Sequence, residues 1–396
     1  MFIVNLLLGI IALLGHLALW TAASNRLHAT ALPRYWVKVA RAVIYTITFL
    51  APLLFLQNSV RDAGWGFQNR VLFSFSLPQI YLGLCWISAV RTIALWLGRQ
   101  LWTANPLLLE SNHTEIVNIA HYLKQKPAES RKAILLSRIP GNQIYELTTN
   151  VKILRLPRLP EELDGLSITH FSDLHLTGQL SRKFYEEIIH RANQFQSDLV
   201  MITGDLVDHP KCISWLPETL GKLRAQYGVY YIFGNHERRM QNEHVLQLDD
   251  QLQQLGLVSL TGHWMEVNFK GSQLILAGNA RPWFVACPDM ESCPPRKPNA
   301  GPLRILLSHS PDQFAWANSY DFDLLLSGHT HGGQIRFPVI GPVVVPSWYG
   351  TKFASGVFYQ EPTLMHVSRG IAGTTPLRIN CRPELSQLVL RTLSAQ

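Results

Sequence analysis

Three long apolar runs fill the first hundred residues, and they restrict that part of the chain to helices in a membrane or in a buried core. Phe2–Trp20 carries no charged side chain, Val39–Leu56 carries only Arg41, and Val71–Leu97 carries only Arg91. Each meets or nearly meets the length of about 20 residues that a helix needs to cross a bilayer. A globular domain seldom opens with three such runs and a single acid, Asp62, in a hundred residues. Residues 1–100 are therefore read as a membrane domain of about three transmembrane helices. Trp20, Tyr35, Trp36, Trp65 and Trp102 lie near the run ends, where interfacial anchors belong.

The charge of the chain points the same way. The formal net charge is +8, but residues 1–100 hold eight Lys or Arg against Asp62, which leaves +1 for everything after them. A nearly neutral remainder gives no track for a polyanion, and no nucleic acid partner is expected. Arg26, Arg34, Lys38 and Arg41 crowd the first connection, whereas the N-terminus has no Lys or Arg. The positive-inside rule puts that connection in the cytoplasm. With an uncleaved first segment and two further crossings, the catalytic region is cytoplasmic, as expected for an integral protein of a bacterial inner membrane. A cleaved first segment, or one span fewer, reverses that side. Five cysteines without a CxxC give neither a disulfide framework nor a zinc ribbon. Cys287 and Cys293 share one Pro-rich loop and could bridge only in an oxidising compartment.

Beyond residue 100 the pattern changes. A helix is expected over Thr114–Lys126, with apolar residues at 116, 117, 119, 120 and 123, and a strand over Val151–Leu156. From Leu166 onward, strand, loop and helix alternate. Strands are expected at Ile168–Phe171, Leu199–Thr203, Val229–Phe233, Leu274–Ala277, Arg304–Leu307 and Leu324–Ser327. Helices are expected at Lys183–Phe195 with Ser181 as N-cap, at Pro217–Ala225 and at Val245–Leu255. Thr363–Val367 and Leu385–Leu390 are expected to finish a second sheet. This alternation indicates an α/β domain, in which ligands gather beyond the carboxyl ends of strands.

Five short motifs stand at such strand ends: Asp173-Leu174-His175, Gly204-Asp205-Leu206-Val207-Asp208, Gly234-Asn235-His236-Glu237, Ser308-His309-Ser310 and Gly328-His329-Thr330-His331. Any one of them is an ordinary turn. Together they bring carboxylate, amide oxygen and imidazole to one sheet edge, the donor types that hard and borderline divalent cations favour. Alternation over Gly328–His331 would throw both histidines to one side of an extended segment and Thr330 to the other.

In this order the motifs resemble the calcineurin-like metallophosphoesterase superfamily, from about Ile168 to His331 and more weakly to about Arg382, with no ligand position departing from the pattern. The run Ser327-Gly-His-Thr-His-Gly-Gly-Gln-Ile-Arg336 is similar to a bacterial membrane-associated branch that includes phosphodiesterases and UDP-2,3-diacylglucosamine hydrolases. The first hundred residues lie outside the shared motifs. The resemblance implies a two-sheet α/β sandwich flanked by helices (the metallophosphoesterase fold) over residues 161–396, after a connector at 101–160. It implies two divalent cations, with Mn²⁺ as the first expectation and Zn²⁺ or Fe²⁺ next. Asp173, His175 and His331 would hold one, Asn235, His309 and His329 the other, and Asp205 would bridge both with its two oxygens. His236 stands outside that set; its family counterpart lies against the reacting phosphate, and it is the expected catalytic residue. Asp208 is expected as a supporting or turn residue. Glu237 is expected to orient His236 or cap the following helix, and it would raise the His236 pKa if close enough.

The function implied is metal-dependent hydrolysis of a phosphodiester or pyrophosphate at a membrane, with a lipid-linked substrate such as UDP-2,3-diacylglucosamine as its sharpest case. A general phosphatase or phosphodiesterase is the alternative within that class, and a non-catalytic membrane receptor or scaffold is the alternative outside it. The Pro-rich insertion Asn279–Pro302, with Trp283, Phe284 and Val285, reads either as a lid or lipid-facing wall or as a solvated loop. Trp348, Tyr349 and Phe353 read as core.

Overall fold

The computed structural model describes residues 2–61, 77–101, 108–284, 287–296 and 301–393. Trp65, Trp102, Val285, Pro298 and the start of the third apolar run at Val71 lie outside them. The chain divides into two compact units, Met1–Thr103 and Ala104–Gln396.

The first unit contains helices α1 (Phe2–His28), α2 (Arg34–Arg61) and α3 (Leu77–Leu101). Within them Leu6–His28, Arg34–Leu54 and Leu77–Gly98 are long and apolar enough to cross a membrane. Gly15 marks the crossing of α1 and α3: a Cβ there would stand 1.7 Å from the Cys85 carbonyl oxygen. Small residues allow this close backbone approach between apolar helices. His16 Nδ1 lies 2.5 Å from the Tyr81 hydroxyl and Nε2 lies 3.1 Å from the Thr48 carbonyl. Trp20 donates to the Tyr81 hydroxyl at 2.9 Å. Trp20 thus turns into the bundle, whereas Tyr35 and Trp36 are exposed at the start of α2.

The second unit begins with β1 (Leu109–Asn118), the short helices α4 (Ile119–Tyr122) and α5 (Arg131–Leu136), and β2 (Glu146–Leu156). There follow β3 (Ser167–Phe171), α6 (Arg182–Gln194), β4 (Leu199–Thr203), β5 (Val229–Ile232), α7 (Asn242–Gln254) and β6 (Leu257–Ser259). The remaining elements are β7 (Trp264–Phe269), β8 (Ser272–Asn279), β9 (Leu303–Ser308), α8 (Phe314–Ser319), β10 (Leu324–Ser327), β11 (Arg336–Phe337), β12 (Gly341–Pro342), β13 (Gly356–Gln360), β14 (Thr363–Val367) and β15 (Glu384–Thr392). Among the described residues they form a seven-stranded sheet in the order β1-β2-β15-β3-β4-β5-β6 and a six-stranded sheet in the order β13-β14-β10-β9-β8-β7. A small hairpin pairs β11 with β12.

Strand periodicity builds the layers. Leu199 and Met201 of β4 join Leu303, Ile305 and Leu307 of β9 in the core between the sheets. Val200 and Ile202 face the other way, onto Phe184, Ile188, Leu248 and Leu252 of α6 and α7. Leu306 and Leu325 turn from the second sheet towards Phe314 of α8. A strand that buries both faces needs apolar residues at every position, and all five residues of β4 are buried. The sandwich flanked by helices is the expected fold.

Several local expectations are overturned. Residues 114–118 are strand, because they pair antiparallel with β2 (Thr114 with Asn150, Asn118 with Glu146) and the ladder outweighs their helical spacing. Helix is confined to Ile119–Tyr122, whose first turn the Asn118 side chain caps. Residues expected as a connector therefore supply β1 and β2 to the large sheet. Pro217–Ala225 is not an α-helix: 3₁₀ segments at Pro210–Glu218 and Leu220–Lys222 meet at a break at Thr219 (φ −114°, ψ −98°). This break lets Leu216 and Leu220 both reach the core. Ser181 sits at the N-cap of α6 without a side-chain capping bond. Leu385–Leu390 belongs to the first sheet, where β15 runs parallel to β2 and antiparallel to β3. Of the group Trp348, Tyr349 and Phe353, only Phe353 is core.

Near the site the inter-sheet core turns polar. Lys152 of β2 donates to Glu384 Oε1 at 2.5 Å and to His366 Nε2 at 2.8 Å. A lysine has only protons to offer, so His366 must present its proton at Nδ1, which meets His170 Nδ1 at 2.8 Å. His170 then donates from Nε2 to the Thr203 hydroxyl at 3.0 Å. Burial keeps both imidazoles neutral, pushing His170 down to about 3 and His366 well below its ordinary value. Burial alone would raise the Glu384 carboxyl, but Lys152 and Arg369 hold it well below the ordinary 4.5. Its contribution to stability is complete above about pH 4.5 and is lost as pH falls towards the depressed value. Glu384→Ala leaves Lys152 buried without its counter-charge and should cost about 3–5 kcal/mol. Chemical denaturation at neutral pH measures this, and a loss under 1 kcal/mol would contradict it.

Candidate metal centre

Each motif leaves the sheet edge directly after its strand: Asp173 after β3, Asp205 after β4, Asn235 after β5, His309 after β9 and His329 after β10. The backbone there is unusual. Asp173 (φ 55°), His175 (47°), Asp205 (53°), His329 (67°) and His331 (50°) all occupy the left-handed region. Such residues cost of order 1–3 kcal/mol each and persist where the surroundings over-determine them, characteristically at functional sites. The Gly328–His331 segment is consequently a turn and not an extended strand; Thr330 is helical and its hydroxyl donates to the Ala354 carbonyl at 2.7 Å. Two glycines permit the close packing. At Gly204 φ is +86° and a Cβ would lie 2.7 Å from His309 Nδ1. At Gly328 a Cβ would lie 1.8 Å from Ser172 Oγ and 2.5 Å from Asp173 Oδ2. Gly328→Ala should cost about 1–3 kcal/mol by overpacking and lower metal content. Thermal unfolding with and without Mn²⁺, beside elemental analysis, checks it; wild-type values in both would refute the close-approach argument.

The structure brings all seven expected ligand residues together. Asp173, His175 and His331 form one group able to hold a metal ion, Asp205, His309 and His329 form another, and His175, Asp205 and His236 form a third that overlaps them. In the first, His331 Nε2 lies 3.3 Å from His175 Nε2 and 3.4 Å from Asp173 Oδ1. In the second, His309 Nε2 lies 3.1 Å from both His329 Nδ1 and Asn235 Oδ1. Asp205 stands between them, its Oδ2 3.4 Å from His175 Nε2 and 3.2 Å from His309 Nε2. Its Oδ1 accepts the His236 backbone N–H at 2.8 Å. One oxygen, not two, therefore faces both groups. His331 and His236 form the accessible edge, each side chain 16% exposed.

Supporting contacts aim the rings. His309 donates from Nδ1 to the Thr203 carbonyl at 2.7 Å, leaving Nε2 to the centre. His175 Nδ1 meets the Asp208 carboxylate at 3.0 and 3.1 Å, again leaving Nε2 inward. Asp208 Oδ1 also lies 2.9 Å from His236 Nδ1. Glu237 does neither thing expected of it. Its oxygens accept the backbone N–H groups of Asp205, Leu206, Val207 and Gly234 at 2.6–3.2 Å, clamping the Asp205 loop. Burial and the neighbouring Asp205 charge push Glu237 up to about 7. Two contacts escaped sequence reasoning. Arg239 donates to His236 Nε2 at 2.7 Å, and its only hint was a place three residues after His236. Arg378, fully buried, donates to the His331 carbonyl at 3.1 Å and to the Arg369 carbonyl at 2.6 Å, with no signal in its surroundings. Trp283, in the Pro-rich insertion, lies against the centre with its ring 4.6 Å from His329 and 5.3 Å from His309.

These residues fit a pair of cations. Asp173 Oδ1, which faces the His331 and His175 rings, is buried without a hydrogen-bond partner, a costly condition for a polar atom. The carboxylates draw positive charge. Burial would lower His309, yet Asp205 lifts it to about 9, and Asp208 and Asp173 overcome burial to lift His175 well above its ordinary value. Burial would raise Asp173, but the His331 and His175 rings hold it low. Burial first, and then the neighbouring charge of His309 on His329 and of His175 and Arg378 on His331, drive these two rings down, the latter to about 3. Divalent cations among the rings would supply the same positive charge and release those protons.

Residues 166–333 match the family model described as calcineurin-like phosphoesterase. The chain is 28% identical over 252 residues to the uncharacterized metallophosphoesterase YkuE of Bacillus subtilis (strain 168), a match covering 63% of this chain and 87% of that protein. It is 27% identical over 238 residues to the phosphodiesterase YaeI of Escherichia coli (strain K12), covering 60% and 86%. It is 30% identical over 256 residues to a transmembrane protein with metallophosphoesterase domain of Bos taurus, covering 59% and 55%.

Proposed function

Because residues 166–333 match the calcineurin-like phosphoesterase model, we propose that this chain is a membrane-anchored phosphohydrolase that cleaves a phosphodiester or pyrophosphate. The observation that carries the reading is the convergence on Asp205 Oδ2 of two ligand groups from five separate strand ends. In this reading Asp173, His175 and His331 would hold one divalent cation, Asn235, His309 and His329 would hold the second, and Asp205 would serve both. When bound, the pair would supply Lewis-acid polarisation of a phosphoryl oxygen and a water nucleophile near neutral pH.

The remaining roles belong to side chains around that centre. His236 stands at its accessible edge, 4.0 Å from Asp205 Oδ2, and serves the departing oxygen as a proton donor. Asp208 holds both His236 and His175 by their Nδ1 atoms. Arg239, beside His236 Nε2, offers a cation to a phosphate oxygen and frees that nitrogen when it does so. Trp283 covers the His309 and His329 rings and keeps water from that side.

The substrate we favour is lipid-linked, resembling UDP-2,3-diacylglucosamine, because three apolar helices tie the site to a bilayer. The basic first connection favours a cytoplasmic catalytic unit at a bacterial inner membrane. Mn²⁺ is the proposed metal. The test is a panel of bis(4-nitrophenyl) phosphate, 4-nitrophenyl phosphate and a lipid-linked UDP sugar, offered to the full chain in nanodiscs with Mn²⁺. Hydrolysis of a diester or pyrophosphate, abolished by chelator and restored by Mn²⁺, is expected. Two bound cations with no turnover of any phosphoester would make the chain a receptor or scaffold instead.

A further inference from the structure

Directly after the His331 turn the chain leaves the core as the β11–β12 hairpin and a loop running to Tyr349. Phe337, Ile340, Val344, Trp348 and Tyr349 each keep 42–59% of their surface exposed. Among the described residues of the second unit, six of fourteen exposed large hydrophobics fall within residues 337–349. Single exposed apolar residues are ordinary on a protein surface, but a concentration in one short segment marks an interaction site.

The segment is rooted in the metal centre. Pro342 packs on Gly333, where a Cβ would stand 2.6 Å from the Pro342 Cβ. Ser347 donates to Asp312 Oδ1 at 2.6 Å, and the Trp348 backbone N–H donates to Oδ2 at 3.1 Å. Asp312 lies three residues beyond His309, and Gly333 two beyond His331. The turns that supply His309 and His331 thus hold the base of the apolar segment, and whatever it touches lies beside the mouth of the site.

We propose that residues 336–349 are a membrane-docking flap that enters the lipid headgroup layer and sets the metal centre against the bilayer surface. The chemistry of the segment selects that partner. Residues 332–360 contain Arg336 and Lys352 and no acid, which complements anionic lipid. Lys352 lies over the Phe353 and Tyr349 rings at 4.8 and 6.0 Å, so its charge accompanies the aromatic base. Trp348 and Tyr349 flank an aliphatic tip, the composition that favours the interface between water and acyl chains. The tip contributes little binding energy alone, but three membrane-spanning helices in the same chain make docking intramolecular. The inference rests on reading α1–α3 as membrane spans, and it deepens the proposed function by directing the site to substrates carried in the bilayer.

The experiment uses the full chain in nanodiscs of phosphatidylethanolamine and phosphatidylglycerol. Cys287→Ser, which removes the half-exposed thiol, is combined with Ile340→Cys in one sample and with Leu246→Cys, an exposed site on α7, in another. Each is labelled with an environment-sensitive fluorophore. Lipids carrying a shallow doxyl quencher should quench the label at 340 several-fold more than the label at 246. Equal quenching overturns the proposal, and so does a label at 340 shielded by cross-linking to a second copy. This readout needs no turnover, so it separates failure of docking from failure of the hydrolase reading. In a second arm Val344→Asp/Trp348→Asp should keep its rate on water-soluble bis(4-nitrophenyl) phosphate, while activity on a phosphodiester lipid carried in the same nanodisc falls about ten-fold. Unchanged activity on both substrates, or equal loss on both, counts against the flap.

Discussion

Asp205→Ala should release at least one of two bound cations and lower phosphodiester turnover on the order of 10³-fold or more, the scale set by the several kcal/mol that a metal contributes to a phosphoryl transition state. The expectation follows from position. Asp205 Oδ2 lies 3.4 Å from His175 Nε2 and 3.2 Å from His309 Nε2, so its removal takes negative charge from both groups at once. Asp173 cannot compensate, because its Oδ2 already accepts the His329 backbone N–H at 3.0 Å and its Oδ1 faces His331. Asp205→Asn separates charge from shape. It retains an oxygen for the His236 backbone N–H and should fold like wild type while binding metal more weakly. Elemental analysis of both variants beside rates on bis(4-nitrophenyl) phosphate decides the matter. Two tightly held cations in the alanine variant would remove Asp205 from the shared position.

His236→Ala should behave in the opposite way, keeping both cations while turnover falls by about 10²–10⁴. Its ring stands at the accessible edge and its Nδ1 is committed to Asp208 at 2.9 Å, so Nε2, which accepts from Arg239 at 2.7 Å, becomes the atom able to serve a departing oxygen once Arg239 turns to a phosphate oxygen and the ring takes up a proton from water. A sharper signature comes from the leaving group. A nitrophenolate departs without a proton, so the variant should lose far less on a nitrophenyl diester than on an alkyl diester. Equal losses on both would show that His236 does not protonate the departing oxygen. Metal lost with the ring would make it a ligand.

Much of this centre is legible in the sequence because each motif with a candidate ligand follows a short apolar run of strand length. Leu199–Thr203 before Asp205 and Leu324–Ser327 before His329 are the clearest cases, and both strands have those bounds. The first strand of the large sheet was not legible. Residues 110–116 of β1 are exposed, so its side chains carry no buried face to betray a strand, and only pairing with β2 defines it. The role of Glu237 was hidden for a similar reason. Its partners are backbone N–H groups of a loop about thirty residues away, and backbone donors look the same under every sequence. The left-handed conformation at five ligand positions is equally invisible, since aspartate and histidine at a strand end give no sign of the sign of φ. The place of β15 depends on which edge its neighbours leave open, which periodicity does not encode.

That place has a consequence for biogenesis. The last of the fifteen strands among the described residues slots between β2 and β3, so during translation a gap runs through the large sheet until residue 392 has emerged from the ribosome. Until then β2 and β3 each leave a ladder edge unpaired, while α1–α3 have long been synthesised. Nascent chains arrested short of residue 384 should therefore be protease-sensitive and bound by chaperones, whatever the state of α1–α3.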